Sequence, residues 1–309
     1  MESERIRKGL FSISILVAIL LVVIDYGNGY LLRLANSLSP ILAALTLPIF
    51  LLGIWFRIRQ LFIFTASLLC LSIANFMQAS LYTPLSTKEP SIRIIHSNLY
   101  HHNPESGESV KSVVAYGADI VGLQELNSRW PNNWSESMTH LYPFKVLLAA
   151  DTCCYGIGLF SKHPIIASQI AYSQGVPYII ATVSVRGQEL TIISLHALPP
   201  VFPNQIKERN LQIKEISQIA SKIDGPLIVL GDFNVVHWDR IFQNFLKASG
   251  LSKVSNGFQP TFPMDFGVPL IPIDHITYSQ GLIPTTCETF NVPGSDHKGI
   301  VAEFAFSSQ

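Results

Sequence analysis

"VLGDFNVV", residues 229–236, closes an apolar run with a carboxylate and an amide. The run before it, Leu227 to Leu230, reads as a buried strand. Asp232 and Asn234 therefore leave the core behind Gly231, which we read as the residue that lets the chain bend away from the sheet. One Asp after a strand is ordinarily a turn or helix cap. The rest of the chain repeats the arrangement. Ile94-Ile95-His96-Ser97 ends in Asn98, Ile120 to Gln124 in Glu125, and Leu190 to Leu195 in His196. Ile271-Pro272-Ile273 leads to Asp274-His275, and Gly294-Ser295 to Asp296-His297.

A set of exits spread from Asn98 to His297, all carboxylate, amide or imidazole, is hard to explain as caps. Functional groups gather where a rigid sheet hands the chain to accessible loops. Carboxylates and amides are hard oxygen ligands suited to Mg²⁺, Mn²⁺ or Ca²⁺. Imidazoles supply acid and base near neutral pH. Together they describe metal-assisted attack of water on phosphorus.

Periodicity outlines the elements between the exits. Strands are expected at 92–97, 120–123, 144–148, 155–160, 165–171, 178–185, 189–195, 227–230, 273–278, 285–290 and 299–306. Helical segments are expected at 106–117, 128–141, 204–223 and 239–248, with 128–141 helical or irregular because Pro131 comes early. The third has a broad apolar face of Ile206, Leu211, Ile213, Ile216 and Ile219. This is a mixed α/β order with hairpins and helices interleaved, about right for one domain with a substantial core.

The residues at the exits carry a resemblance. Asn98, "LQE" at 123–125, "SLH" at 194–196, "GDFN" at 231–234, "IDHI" at 273–276 and "SDH" at 295–297 resemble, in order and spacing, the endonuclease/exonuclease/phosphatase superfamily. "YGIGLFSKHPI" at 155–165 is similar to the family's segment between its Glu and first His motifs. The resemblance spans about 91–306 and implies a DNase I-like four-layer α/β sandwich. It implies metal ligation by Glu125, with Asn98 beside the ion and Asp296 near it. The ion would be divalent, Mg²⁺ before Mn²⁺ or Ca²⁺. His297 matches the essential His of the last motif, and Asp274 the carboxylate that orients it. His196 matches a His that contacts phosphate and protonates the leaving group. Asp232 matches a residue that orients or deprotonates water, and Asn234 one that holds a phosphate oxygen.

The pattern departs from the family at Tyr100, where several members carry an acid. His101 and His102, next to it, read as solvent-facing loop residues, with extra metal ligands as the alternative. His96 reads as an internal strand residue. Lys162 and Lys298 are either phosphate contacts or surface charges. Trp130, Trp134 and Trp238 are either core or the lining of a groove.

Before this domain the composition changes. Over the whole chain 48% of residues are hydrophobic and 14% charged, which leans towards a membrane part. Three apolar stretches, 10–32, 39–56 and 61–82, are each long enough to be read as transmembrane helices, the first with Asp25 near its end. A cleaved signal peptide is the alternative for the first. Arg5, Arg7 and Lys8 precede the first span, and Arg57 and Arg59 separate the second from the third. The positive-inside rule then puts residues after 82 outside the cytoplasm. The organisation expected is a membrane region over 1–82, a proline-containing linker over 83–90, and the catalytic domain over 91–309, anchored in the inner membrane.

Charge bears on the substrate. The first 82 residues hold six Lys/Arg and three Asp/Glu, leaving 15 basic and 18 acidic residues of the 21 and 21 in the chain. Domains that grip duplex DNA are usually basic, so this balance does not favour nucleic acid. A membrane-tethered phosphohydrolase acting on a lipid-linked phosphate or pyrophosphate is the first expectation. Some bacterial membrane-anchored relatives of this layout are linked to polyprenyl pyrophosphate recycling and glycopeptide resistance, and the resemblance permits that substrate class. A nuclease of the same fold is the second, and an inactive membrane scaffold or sensor the third. Cys153, Cys154 and Cys287 admit either a disulfide or small buried thiols.

Overall fold

Hydrophobic residues on both faces of a strand need a layer on each side, and this chain supplies them. The computed structural model describes residues 83–130, 136–265 and 267–307, together with positions 36–39, 41 and 66. The three expected membrane spans and Trp134 lie almost wholly outside the described residues. Among the described residues no helix is long and apolar enough to cross a membrane. The chain divides into two compact units, Met1–Leu81 and Tyr82–Gln309. The second unit holds every polar strand exit singled out in the sequence.

Its strands are β1 (Ile92–Asn98), β2 (Ile120–Gln124), β3 (Phe144–Leu148), β4 (Ile157–Ser161), β5 (Ile165–Ser173) and β6 (Val176–Val185). They continue with β7 (Gln188–His196), β8 (Leu227–Asp232), β9 (Ser252–Lys253), β10 (Asp274–Tyr278), β11 (Leu282–Asn291) and β12 (Lys298–Phe306). The helices are α1 (Ser106–Ala115), α2 (Glu136–Leu141), α3 (Pro203–Ala220) and α4 (Arg240–Ser249). Two six-stranded sheets form, in the orders β11-β12-β1-β2-β4-β3 and β5-β6-β7-β8-β10-β9.

Three apolar clusters define the layers. Ile94, Ile120 and Leu159 of the first sheet meet Ile192, Ile228, Leu230 and Ile276 of the second. Behind the first sheet, Ile95, Val121 and Phe160 pack on Val110 and Val113 of α1 and Met138 of α2. Behind the second, Ile193 and Val229 pack on Ile213 and Ile216 of α3 and Phe242 and Phe245 of α4. The result is the expected helix–sheet–sheet–helix sandwich. Strand alternation explains it: odd and even residues of one strand serve different clusters.

Local chemistry sets the ends of α4. Asp239 Oδ1 accepts the backbone N–H of Ile241 at 2.9 Å, a side-chain N-cap. Gly250, at φ 70°, ends the helix in the left-handed conformation. Residues 83–91 form an ordered strap. Thr83 N–H donates to Ser255 O, Ser86 N–H to Pro284 O and Ser91 N–H to Phe304 O. The cysteines of this unit are free thiols, with Cys287 buried in the core between the sheets. Trp130 and Trp238 are buried. Lys162 Nζ donates to Gly117 O, near the start of β2 rather than the end that leads to Glu125.

Candidate active site

Two parallel pairs fix where the functional groups converge. β1 runs parallel to β2, with Asn98 opposite Gln124. β7 runs parallel to β8, with His196 opposite Asp232. The carboxyl ends of each pair point one way, and the hydrogen bond from Asn98 to Asp232 brings the ends of the two pairs together. β10 is antiparallel to β8 and starts there, with Asp274 opposite Asp232. β12 is antiparallel to β1 and likewise starts there, just after Asp296 and His297. One end of the sandwich so carries the whole set: Asn98, Glu125, His196, Asp232, Asn234, Asp274, Asp296 and His297.

Gly231 has a different role from the bend expected of it. It stays within the sheet, paired with Leu195 on one side and His275 on the other. Its φ is 153°, and a Cβ there would run into the Leu195 carbonyl oxygen. The glycine is required by the close approach of β7. The turn comes one residue later, where Asp232 Oδ1 accepts the N–H of Asn234 at 2.8 Å. Asn234 takes φ 50°, a left-handed conformation that Asn tolerates better than most residues.

The polar groups interlock. Asn98 Nδ2 donates to Glu125 Oε1 at 3.0 Å and to Asp232 Oδ2 at 3.1 Å, while its Oδ1 accepts from the Tyr100 N–H at 3.0 Å. Asn98 thus turns its NH₂ to the two carboxylates. The His101 N–H donates to Glu125 Oε2 at 2.7 Å. His196 Nε2 lies 3.6 Å from Asp232 Oδ2 and 4.0 Å from Glu125 Oε1. His297 Nδ1 lies 2.8 Å from Asp274 Oδ2, and its Nε2 lies 3.8 Å from Asp232 Oδ2. Asn234 Nδ2 donates to Ala197 O at 2.8 Å, which ties the loop after β8 to the loop after β7.

Burial and charge set the ionisation. Burial, and then the charge of Asp274, pushes Asp232 up to about 6. Burial alone would depress His297, but the charges of Asp274 and Asp232 outweigh it and hold the imidazole up at about 10. Burial alone would raise Asp274; the charge of His297 and the hydrogen bonds from His297 and His96 hold it well below the usual carboxylate range. Burial raises Asp296, and the charge of Glu125 adds to that, partly offset by His297.

Two groups of residues could hold a cation. Asp232, Asp274 and His297 offer ligand atoms within 4.8 Å of one another. Glu125 and Asp296 form the other. The charge of Glu125 disfavours a second negative charge on Asp296, and Asp296 Oδ1 is buried without a hydrogen-bond partner among the described residues. Hard, like-charged oxygens with an unspent acceptor suit a divalent ion.

Some supporting residues are not evident from the sequence. Arg209 and Gln212 lie buried on α3, beside the apolar face that marks it as a helix. Arg209 Nη1 donates to Asn234 O at 2.6 Å. Gln212 donates to His196 O and accepts from the Leu198 N–H. Together they hold the loops carrying His196 and Asn234. Two polar residues three apart on the inward face of an amphipathic helix are the available signal.

Comparisons with known proteins agree with this geometry. Residues 89–297 match the profile described as the Endonuclease/Exonuclease/phosphatase family. A UPF0294 protein of Vibrio vulnificus (strain CMCP6) is 27% identical over 232 residues, covering 70% of this chain and 78% of that protein. Among solved structures, humanized D. rerio TDP2 superposes with a TM-score of 0.57 at 19% identity, covering 69% of this chain and 98% of that one. Sphingomyelinase C from Streptomyces griseocarneus gives 0.55 at 15% identity, covering 70% and 99%. At such identities the superpositions speak for the fold alone.

Proposed function

Because the chain belongs to the endonuclease/exonuclease/phosphatase family, we propose that it is a metal-dependent hydrolase of phosphate esters or anhydrides, tethered to a membrane by residues 1–82. The observation that carries the reading is the convergence of Glu125, Asp296, Asp232, His196 and the Asp274–His297 pair at one end of the sandwich.

The ion belongs at Glu125 and Asp296. Asp274 is fully buried with its two oxygens held by the imidazoles of His96 and His297, whereas Glu125 is partly exposed and Asp296 Oδ1 has no hydrogen-bond partner among the described residues, so Asp274 is the poorer ligand. Glu125 and Asp296 would hold a divalent ion, which when bound would supply Lewis-acid polarisation of a phosphoryl oxygen. Asp232, with its proton affinity lifted towards neutrality, is the group to take a proton from water. His297, kept cationic by Asp274, stabilises charge growing on phosphate oxygens. His196, within reach of the same Asp232 oxygen, faces the leaving group. Asn234 has one N–H committed to Ala197 O and a second to offer a phosphate oxygen.

A lipid-borne substrate is supported by the rim. Val201 and Phe202 follow His196 closely and are 57% and 61% exposed. Val268, 66% exposed, lies on the loop whose Met264 N–H donates to Asp296 O. Exposed apolar side chains thus lie on the loop that follows His196 and on the loop bonded to Asp296, as a surface meeting a bilayer would need. The apolar stretches preceding Thr83 and the mildly acidic balance of the domain fit the same reading. The domain would then work outside the cytoplasm. A panel of lipid phosphates, soluble phosphodiesters and plasmid DNA, each with Mg²⁺ and with EDTA, tests it. Release from lipid phosphates with Mg²⁺ alone is expected. Faster cleavage of plasmid would make it a nuclease, and inertness throughout would leave a scaffold.

A further inference from the structure

His96 has no part in the proposed chemistry, yet it is fully buried in the middle of β1. It shares its strand face with Ile92 and Ile94, which belong to the core between the sheets. Alternation along β1 therefore aims its ring into that core, two residues short of Asn98. An imidazole among isoleucines requires a polar partner. It finds one on the opposite sheet: His96 Nε2 lies 2.7 Å from Asp274 Oδ1.

Asp274 is then gripped from two sides. Its Oδ1 meets His96 of β1, and its Oδ2 meets His297, which leads into β12, the neighbour of β1. One imidazole lies in the first sheet and the other on the loop that enters it, while the carboxylate comes from the second sheet. His96 Nδ1 is buried without a hydrogen-bond partner among the described residues. A bare ring nitrogen is better tolerated there than an unpartnered N–H, so the ring proton sits on Nε2 and is donated to Asp274.

We propose that His96 is a positioning residue of the hydrolytic site: it fixes the plane of the Asp274 carboxylate, so that Oδ2 stays directed at His297 Nδ1. This rests on the reading of the site as a phosphohydrolase. The distances alone require the clamp itself. Without the donor, Oδ1 becomes a buried unsatisfied acceptor, and the carboxylate gains by rotating to share its remaining partner. His297 then loses its fixed orientation towards Asp232.

The test uses the full-length chain in detergent. His96→Leu removes the donor, and His96→Asn shortens the reach while keeping polarity, should the leucine variant fail to fold. His96→Gln restores a donor at similar length. Residues acting through a site's direct participants commonly cost 10- to 100-fold when changed, so kcat is expected to fall by about that factor in the leucine and asparagine variants. KM should stay within about twofold, and His96→Gln should recover most of kcat. In an Asp274→Asn background, His96→Leu should cost less than about twofold more, because the shared route is already broken. A residue that only filled space would lower kcat equally in both backgrounds, and that result would overturn the proposal. The metal-free protein gives a reading that needs no turnover. The downfield ring N–H resonance of His297, identified by its loss in His297→Asn, should persist in His96→Gln and disappear or broaden in His96→Leu. Persistence of that resonance in His96→Leu and His96→Asn would also overturn it. If wild type hydrolyses nothing while the resonance follows this pattern, the phosphohydrolase reading fails and the clamp stands.

Discussion

Asp232 and Asn98 share a hydrogen bond of 3.1 Å between strands of different sheets. The second N–H of the same amide reaches Glu125. The carboxylates proposed to activate water and to hold the metal are therefore linked through one side chain. Removing either acid should have a distinct signature.

For Asp232→Asn, turnover should fall by about 10²- to 10⁴-fold, the usual contribution of a positioned base. The fold should survive, since the amide keeps the shape and can still accept from the Asn234 N–H, losing only the hydrogen bond from Asn98. Steady-state kinetics and circular dichroism check this together.

Asn234→Asp separates binding from chemistry. Aspartate tolerates the left-handed backbone at φ 50° but cannot donate to Ala197 O or to phosphate. KM should rise more than kcat falls. An equal fall of kcat with KM unchanged would move Asn234 out of phosphate binding.

Metal binding should be visible without substrate. Mg²⁺ is expected to raise the melting temperature of wild type, because a ligand that binds only the folded state stabilises it. Glu125→Gln and Asp296→Asn should lose that shift, and Asp274→Asn should retain it. Retention in the first two with loss in the third would relocate the ion to the Asp232, Asp274 and His297 group.

Acid stability should depend on His275. Burial, then the positive charge of Lys253, holds this imidazole well below 6.5, and its Nε2 donates to Val235 O at 2.8 Å. Above about pH 6.5 the ring is uncharged in both folded and unfolded chains, so it adds no pH dependence. As pH falls through that value the unfolded chain binds a proton that the folded one refuses, and stability is lost. Urea midpoints between pH 8 and pH 5.5 should fall more steeply for wild type than for His275→Gln. Parallel curves would remove His275 as the cause.

Much of the site is legible in the sequence because each group stands at the end of an apolar strand. The order of exits and the change from core to polar residue are local facts. The partners are not. His96 and Asp274 are separated by 178 positions and meet only because two sheets pack face to face. No periodicity along β1 announces that its histidine will be answered from β10. Gly231 shows the same limit. A glycine before a polar exit looks like a bend, whereas its cause is the Leu195 carbonyl on a neighbouring strand. The short edge strand β9 has only two residues, too few to carry an alternation. The helix–sheet layering is readable because the apolar faces of 106–117 and 204–223 have no other place to go.

The most direct test of the central claim is phosphate release from a polyprenyl pyrophosphate in detergent or vesicles, followed with Mg²⁺, with EDTA and with Glu125→Ala. Release with Mg²⁺ that EDTA and Glu125→Ala both abolish is the expected result. Undiminished release by Glu125→Ala, or no release by wild type with Mg²⁺ supplied, would contradict it.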